Sequence, residues 1–278
     1  MDPASRKNIL RARLFIEQNL QSRLSGDSIS QQAFRSYYRF HHQFKAFTGE
    51  SVWQYVKRLR LERSSFLLKY TTMPVAEIAF NIGFESTAAF SKAFSARNGQ
   101  SPVKFRNDVL TRMAPIKTGG YKWNDTKRIW RPDEKICTFR SEGAGHFPAG
   151  YFKWQQLAAP VRGNTVPLIG KSPDQPGITG TEKFRWDTSV PKDAVPRQLQ
   201  DQLVQKENMF EETLSGGAFL KVPFVGFGRP LTEHLPALLD HLRDQGLEWR
   251  PSGSFFQTIR EHAEKNRCIT DLFIPVSR

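Results

Sequence analysis

From Ile9 to Phe105 apolar side chains return at spacings of three and four, and the run is punctuated where helices must stop. That periodicity admits helices and little else. Ile9, Ala12, Ile16 and Leu20 form the stripe of an opening helix, and a short helix follows from about Asp27, which can act as its N-cap. Beyond Phe34-Arg35, Ser36 can cap a longer helix whose buried face is Tyr37, Phe40, Phe44 and Phe47; Thr48-Gly49 ends it. A long helix from Ser51 to Lys69 buries Val52, Tyr55, Val56, Leu59, Phe66 and Leu67. Past Thr71-Thr72-Met73-Pro74 a short helix carries Val75, Ile78 and Ala79, and Gly83 turns the chain. Ser86 then caps a helix with Phe90 and Phe94 inward, Asn98-Gly99 stops it, and Ser101-Pro102 opens a last short one.

Short helix, tight turn, longer helix thus occurs twice, on either side of one long helix. Each unit has the form of a helix-turn-helix, whose second helix can enter a major groove. In the first, Tyr38, His41, His42 and Lys45 lie at i, i+3, i+4 and i+7, opposite the Phe stripe. In the second, Thr87, Ala88, Ser91, Lys92 and Ser95 form the polar face. Such groups donate to phosphates and base edges, and Ala88 is small enough to meet a thymine methyl. The same faces would also suit a helical bundle with no partner. Charge favours the first reading: residues 1–112 hold 18 Lys and Arg against 8 acids, whereas 113–278 hold 23 against 19. A basic excess concentrated in the shorter part points to a polyanion.

The pattern changes near Met113, where Pro115 and Gly119-Gly120 mark a linker over residues 113–120. Residues 121–278 mix strand and helix signals. Lys135–Arg140, Ala218–Phe224 and Cys268–Val276 read as strands, Glu182–Val190 alternates polar and apolar, and Gly143–Leu157 and Leu231–Asp244 have helical potential. Two strand-helix-strand-strand units in tandem predict a pseudo-twofold antiparallel α+β sheet with a groove between the halves.

Several classes fall away on composition and motif. No stretch approaches the roughly 18 uncharged apolar residues of a membrane span, so a cytoplasmic, nucleoid-associated protein is expected. Cys137 and Cys268 are the only cysteines, which excludes a disulfide framework and an unaided zinc cluster. Gly216-Gly217 lacks a following Lys-Ser/Thr, and neither a His-Glu-x-x-His pattern nor a nucleophile elbow occurs. No metal, no cofactor and no enzymatic activity are expected.

Three stretches then carry a resemblance. Ile78-Ala79-Phe80-Asn81-Ile82-Gly83-Phe84-Glu85-Ser86, Phe90-Ser91-Lys92-Ala93-Phe94 and Gly99-Gln100-Ser101-Pro102-Val103-Lys104-Phe105-Arg106 resemble the DNA-binding signature of the AraC/XylS family. The likeness extends back through Phe44-Lys45-Ala46-Phe47-Thr48-Gly49 and covers residues 6–108. It implies a bipartite all-helical domain over residues 1–112, a double-stranded DNA target, RNA polymerase as a partner and a role as transcription activator. It also implies base contacts by Tyr38, His41 and His42 from the first reading helix and by Thr87, Ala88, Ser91 and Lys92 from the second. The first unit departs from the pattern: Phe34-Arg35 stands where many members have a Gly-containing turn, and His41-His42 where stress-response members carry Gln-Arg. Bidentate guanine reading by Arg is therefore closed to it.

Most two-domain members of that family place the DNA-binding part last; here it comes first. Residues 121–278 resemble the GyrI-like small-molecule-binding domain, on Glu182–Pro191, Gly216-Gly217-Ala218-Phe219 and Asp271-Leu272-Phe273-Ile274-Pro275-Val276. The resemblance implies an effector that is amphipathic or cationic. An aromatic wall and a carboxylate suit such a molecule, and Tyr151, Trp154, Trp186 and Phe227 can supply the wall, with Glu142, Glu182 or Asp187 as the acid. On an alternating strand Glu182, Phe184 and Trp186 share one face. The alternative is a hydrolase of a reactive small molecule fused to a DNA-binding domain, with Trp186 and Glu182 as its catalytic pair.

Overall fold

The computed structural model describes residues 2–33, 36–112, 122–143, 168–174, 178–197, 208–225, 231–250, 255–262 and 267–277. The chain divides into two compact units, residues 1–114 and 115–278.

The first unit is helical throughout its described residues: α1 (Pro3–Gln18), α2 (Gly26–Gln32), α3 (Tyr37–Thr48), α4 (Val52–Tyr70), α5 (Val75–Asn81), α6 (Thr87–Asn98) and α7 (Pro102–Arg112). Local chemistry sets the ends. Asp2 caps α1 through the Ser5 amide, with Pro3 in the first turn. Ser25 and Ser28 form a reciprocal capping box on α2, so Ser25 is the N-cap and Asp27 lies inside the first turn. The Asp27 cap expected from sequence is corrected: two cap-type residues stand close together, and only Ser25 reaches the N3 amide. Ser51 and Gln54 box α4 in the same way. Helices α3 and α6 both end on a left-handed glycine, Gly49 at φ 71° and Gly99 at φ 72°, a conformation that L side chains resist.

Two small cores share α4. Ile9, Ala12, Ile16, Ile29, Ala33, Phe40, Phe44, Val52, Tyr55, Val56 and Leu59 form the first. In the second, ring contacts run from Phe84 to Phe90 (5.6 Å), Phe94 (5.5 Å) and Phe105 (5.4 Å), with Ile78, Ala79 and Ile82 also buried. Both flanks of α4 are covered, so even Ser64 and Ser65 are buried; their hydroxyls fold back onto the Leu61 carbonyl at 2.7 and 3.0 Å. The expected stripe of α3 narrows to Phe40 and Phe44. Tyr37 and Phe47 stay at the rim, each 37% exposed, and Tyr37 leans on the space left open by Gly26.

In the second unit the described strands are β1 (Lys127–Arg131), β2 (Glu134–Glu142), β3 (Leu168–Lys171), β4 (Arg185–Pro191), β5 (Met209–Leu214), β6 (Gly217–Val225), β7 (Glu248–Trp249), β8 (Phe256–His262) and β9 (Arg267–Ser277), with helix α8 (Leu231–Asp244). All the described pairings are antiparallel, in the order β1-β6-β9-β8-β3-β4-β2-β5, and β7 adds to β9. The order repeats: β2, β4 and β3 lie side by side as β6, β9 and β8 do, and β3 meets β8 at the middle. Each half is finished by a strand from the other half's stretch of sequence, β1 on β6 and β5 on β2. Ile136, Ile169, Leu214, Phe219, Phe256 and Phe273 make the apolar cluster of one sheet face. Leu235, Leu238, Leu239 and Leu242 are the buried stripe of α8, at helical spacing. The helix expected over Gly143–Leu157 falls, after Gly143, outside the described residues.

Candidate nucleic-acid interface

Helices α3 and α6 span Tyr37–Thr48 and Thr87–Asn98, so equivalent residues stand fifty positions apart. Phe40 pairs with Phe90 and Phe44 with Phe94, all four fully buried. Anchored by these rings, each helix turns its opposite face outward. On α3, Tyr38 is 76% exposed, His42 and Lys45 are exposed and His41 is half-buried. Tyr38 and His42, one turn apart, meet edge to face at 4.6 Å, and Tyr37 lies 6.0 Å from His41. On α6, Ala88 and Lys92 are exposed and Thr87 and Ser91 half-buried. All eight residues expected at the interface therefore lie on the outward faces of these two helices. They differ in kind. The α3 face is aromatic and imidazole-rich; the α6 face is small and hydroxylated around one lysine.

Residues that position these helices were missed from sequence. Arg58 on α4 donates through Nε to Glu50 (2.9 Å) and through Nη1 to Glu62 (3.2 Å), and Glu62 receives Nη2 of Arg97 at 2.8 Å. Burial alone would lower the Arg58 pKa, but its hydrogen bond to Glu50 and the charges of Glu62 and Glu50 raise it. Arg60 donates to three backbone carbonyls, Leu20 (3.0 Å), Ser22 (3.0 Å) and Gly83 (2.8 Å). Arg106, within the signature, donates to the Met73 carbonyl at 2.6 Å and so holds the chain after α4. A run of charges on a long helix looks like a solvated face; only the fold shows Arg58 and Arg60 half-buried and Glu62 buried.

In the second unit Tyr151, Trp154 and Phe227 lie outside the described residues. Glu182 does not share a strand with Trp186: it sits exposed on a 3-10 turn, Thr181–Lys183, and β4 begins at Arg185. Turn and strand happen to continue one alternation, which is why they read as a single element. Asp187, another expected acid, is held by Arg140 in a buried two-pronged pair at 2.8 and 2.9 Å. Trp186 is buried, and a Cβ placed on Gly170 would lie 2.8 Å from its Cζ2 and 3.3 Å from Nε2 of Gln257. Gln257 is 1% exposed, and neither amide atom has a hydrogen-bond partner among the described residues. A buried amide left so costs about 1–3 kcal/mol per group, and native folds rarely keep one.

A helix-turn-helix domain profile matches residues 29–108, and with the two outward helices this defines a DNA-binding transcription regulator. The transcriptional regulator Rob of Salmonella typhimurium is 30% identical over 233 residues, covering 77% of each chain. The chain belongs to the AraC family. The right origin-binding protein of Escherichia coli K12 is 30% identical over 127 residues, 44% of each chain. A hydrolase from Listeria innocua covers 62% of this chain and 98% of its own at 14% identity and a TM-score of 0.39, a likeness too slight to carry chemistry across. None of the described helices is long and apolar enough to cross a membrane.

Proposed function

We propose that this regulator reads a specific duplex sequence with α3 and α6, activates transcription through contact with RNA polymerase, and takes a small amphipathic or cationic effector in its second unit. The carrying observation is the pair of equivalent helices whose buried Phe residues turn Tyr38, His41, His42 and Lys45 on one, and Thr87, Ala88, Ser91 and Lys92 on the other, to the outside. One chain has two reading helices, and the first 112 residues carry the basic excess. Lysines neutralising phosphates displace counterions, so log K should fall with log salt by roughly 0.9 per phosphate contacted. Binding to duplexes selected from a random pool, followed across salt and against random DNA, tests this. A steep slope with a large preference for the selected duplex is expected; a chain that binds no duplex at low salt defeats the reading.

For the effector, support comes from Trp186 and the unpaired Gln257 amide beside the same glycine. That amide offers an NH2 donor group and a carbonyl acceptor to a ligand whose apolar body packs on the indole. Tyr151, Trp154 and Glu182 remain proposed contributors, with Glu182 acting from the turn rather than from the strand. A panel of amphipathic amines and their neutral amide analogues should raise the melting temperature of the full chain in a concentration-dependent way. Gln257→Leu should abolish the shift for whichever class produces it; a shift untouched by that change removes Gln257 from the site.

A further inference from the structure

Four charged side chains run without a gap from one reading helix to the other. Glu50 follows the Gly49 cap of α3, Arg58 and Glu62 stand one turn apart on α4, and Arg97 lies in the last turn of α6. The links are 2.9 Å from Arg58 to Glu50, 3.2 Å from Arg58 to Glu62 and 2.8 Å from Arg97 to Glu62. Side-chain exposure is 11% for Arg58 and Glu50, 7% for Glu62 and 30% for Arg97. Arg60, two positions along α4 from Arg58 and so across the helix, ties the chain after α1 to the turn between α5 and α6 through Leu20, Ser22 and Gly83. Gln21 adds a contact to Asn81 at 3.3 Å. The α3 and α6 halves are thus braced on both sides of the helix that joins them.

The braces matter because of how duplex DNA is spaced. Each added base pair moves a groove segment by about 3.4 Å and turns it by roughly a tenth of a circle. Two reading helices held at one separation and phase gain from each other only where the duplex presents both segments in step; a loose pair would tolerate a shift. We propose that Glu62 and Arg97 are positioning residues for DNA reading: the chain Glu50–Arg58–Glu62–Arg97 sets the distance and phase between α3 and α6, so the protein selects the spacing of two DNA segments as well as their sequences. This rests on the reading of α3 and α6 as DNA-reading helices. The ion pairs act through geometry, and partial burial shields them from the salt that screens surface pairs.

The test uses the full chain and a duplex selected from a random pool, with the two protected segments located by footprinting. Affinity is measured on that duplex, on versions with one or two base pairs inserted between the segments, and on a duplex holding the α6 segment alone. The wild-type chain should lose affinity sharply on insertion. Glu62→Gln and Arg97→Gln should each shrink that insertion penalty by roughly 2- to 30-fold, the range for changes along a coupling network, while binding to the single segment holds. Arg97→Lys should restore most of the penalty. Circular dichroism identifies any variant that fails to fold; Arg97, the most exposed member, then decides alone. An equal loss on native and inserted spacings would make Arg97 a phosphate contact and overturn the proposal. A wild-type chain indifferent to insertion would overturn it too, with DNA reading intact, whereas a chain that binds no selected duplex fails at the underlying reading.

Discussion

Set side by side at an offset of fifty residues, the two helix-turn-helix units agree inside and disagree outside. Phe40 and Phe90, Phe44 and Phe94, and Gly49 and Gly99 match in residue, burial and backbone. Ser51 and Ser101 both receive a backbone amide three residues on. The outward positions differ at each pairing: Tyr38 against Ala88, His41 against Ser91, His42 against Lys92, Lys45 against Ser95. Packing and chain reversal hold the inward set constant, because a close-packed core and a left-handed cap admit few residues. Nothing inside the fold constrains the outward set. The difference between the units is therefore chemical rather than architectural, and it lies on the surface proposed to meet DNA.

The inner equivalence predicts the largest effects. Phe40→Ala and Phe90→Ala should each cost about 3–5 kcal/mol of stability, the usual price of an aromatic cavity, and urea titrations would show it. A loss below about 1 kcal/mol for either one would end the equivalence. The turn is the first place to break the symmetry. Gly83 has φ 83°, with Arg60 Nη2 at 2.5 Å and the Leu20 carbonyl at 2.8 Å from where a Cβ would stand; it follows the C-cap Ile82 of α5 as Phe34, outside the described residues, follows the C-cap Ala33 of α2. Gly83→Ala should cost about 2–3 kcal/mol, combining strain with displacement of Arg60. A loss below about 1 kcal/mol in melting experiments would mean that this turn carries no such strain.

On DNA the asymmetry should appear at the paired His42 and Lys92. Lys92→Ala is expected to weaken binding to the selected duplex by about 1–3 kcal/mol and to relax its sequence preference. His42→Ala should cost less than about 1 kcal/mol, since the imidazole already leans edge to face on Tyr38 at 4.6 Å. Fluorescence anisotropy on selected and random duplexes measures both, and matching losses would place the two helices on the same footing. The smallest contrast is in the caps. Ser86 accepts the Ala89 amide at 3.2 Å, whereas Ser36 makes no such bond. Ser86→Ala should cost about 1 kcal/mol and Ser36→Ala almost nothing; amide exchange in the first turn of each helix would reveal a reversal.

Much of this arrangement is legible in the sequence, for reasons that particular residues make plain. Phe residues four apart, glycines after the last turn and serines before the first mark α3 and α6 because periodicity and capping are local physics. The strands at Ala218–Phe224 and Cys268–Val276 show themselves by apolar density. Long-range partners leave no such trace. Arg140 and Asp187 lie 47 residues apart and meet only through the β2–β4 register. Arg60 takes carbonyls from two separate loops, and no residue type in those loops announces it. Glu182 was misplaced because alternation cannot show where a turn gives way to a strand. Gln257, between Phe256 and Thr258, looks like any polar residue of a strand; its lack of a partner among the described residues is a property of the folded sheet alone.

The position of β9 has a consequence for the order in which the molecule can be made. Arg267–Ser277 lies between β6 and β8, inside the sheet, although it comes latest in sequence among the described strands. β1 likewise waits for β6, with Lys127 opposite Lys221. On a ribosome the seven helices can pack as soon as Arg112 has cleared the exit tunnel, since they form a compact unit by themselves. The sheet cannot close until β9 arrives, and until then β6, already able to pair with β1 on one side, keeps its other edge open. Synthesis therefore completes a DNA reader well before it completes the unit that follows it.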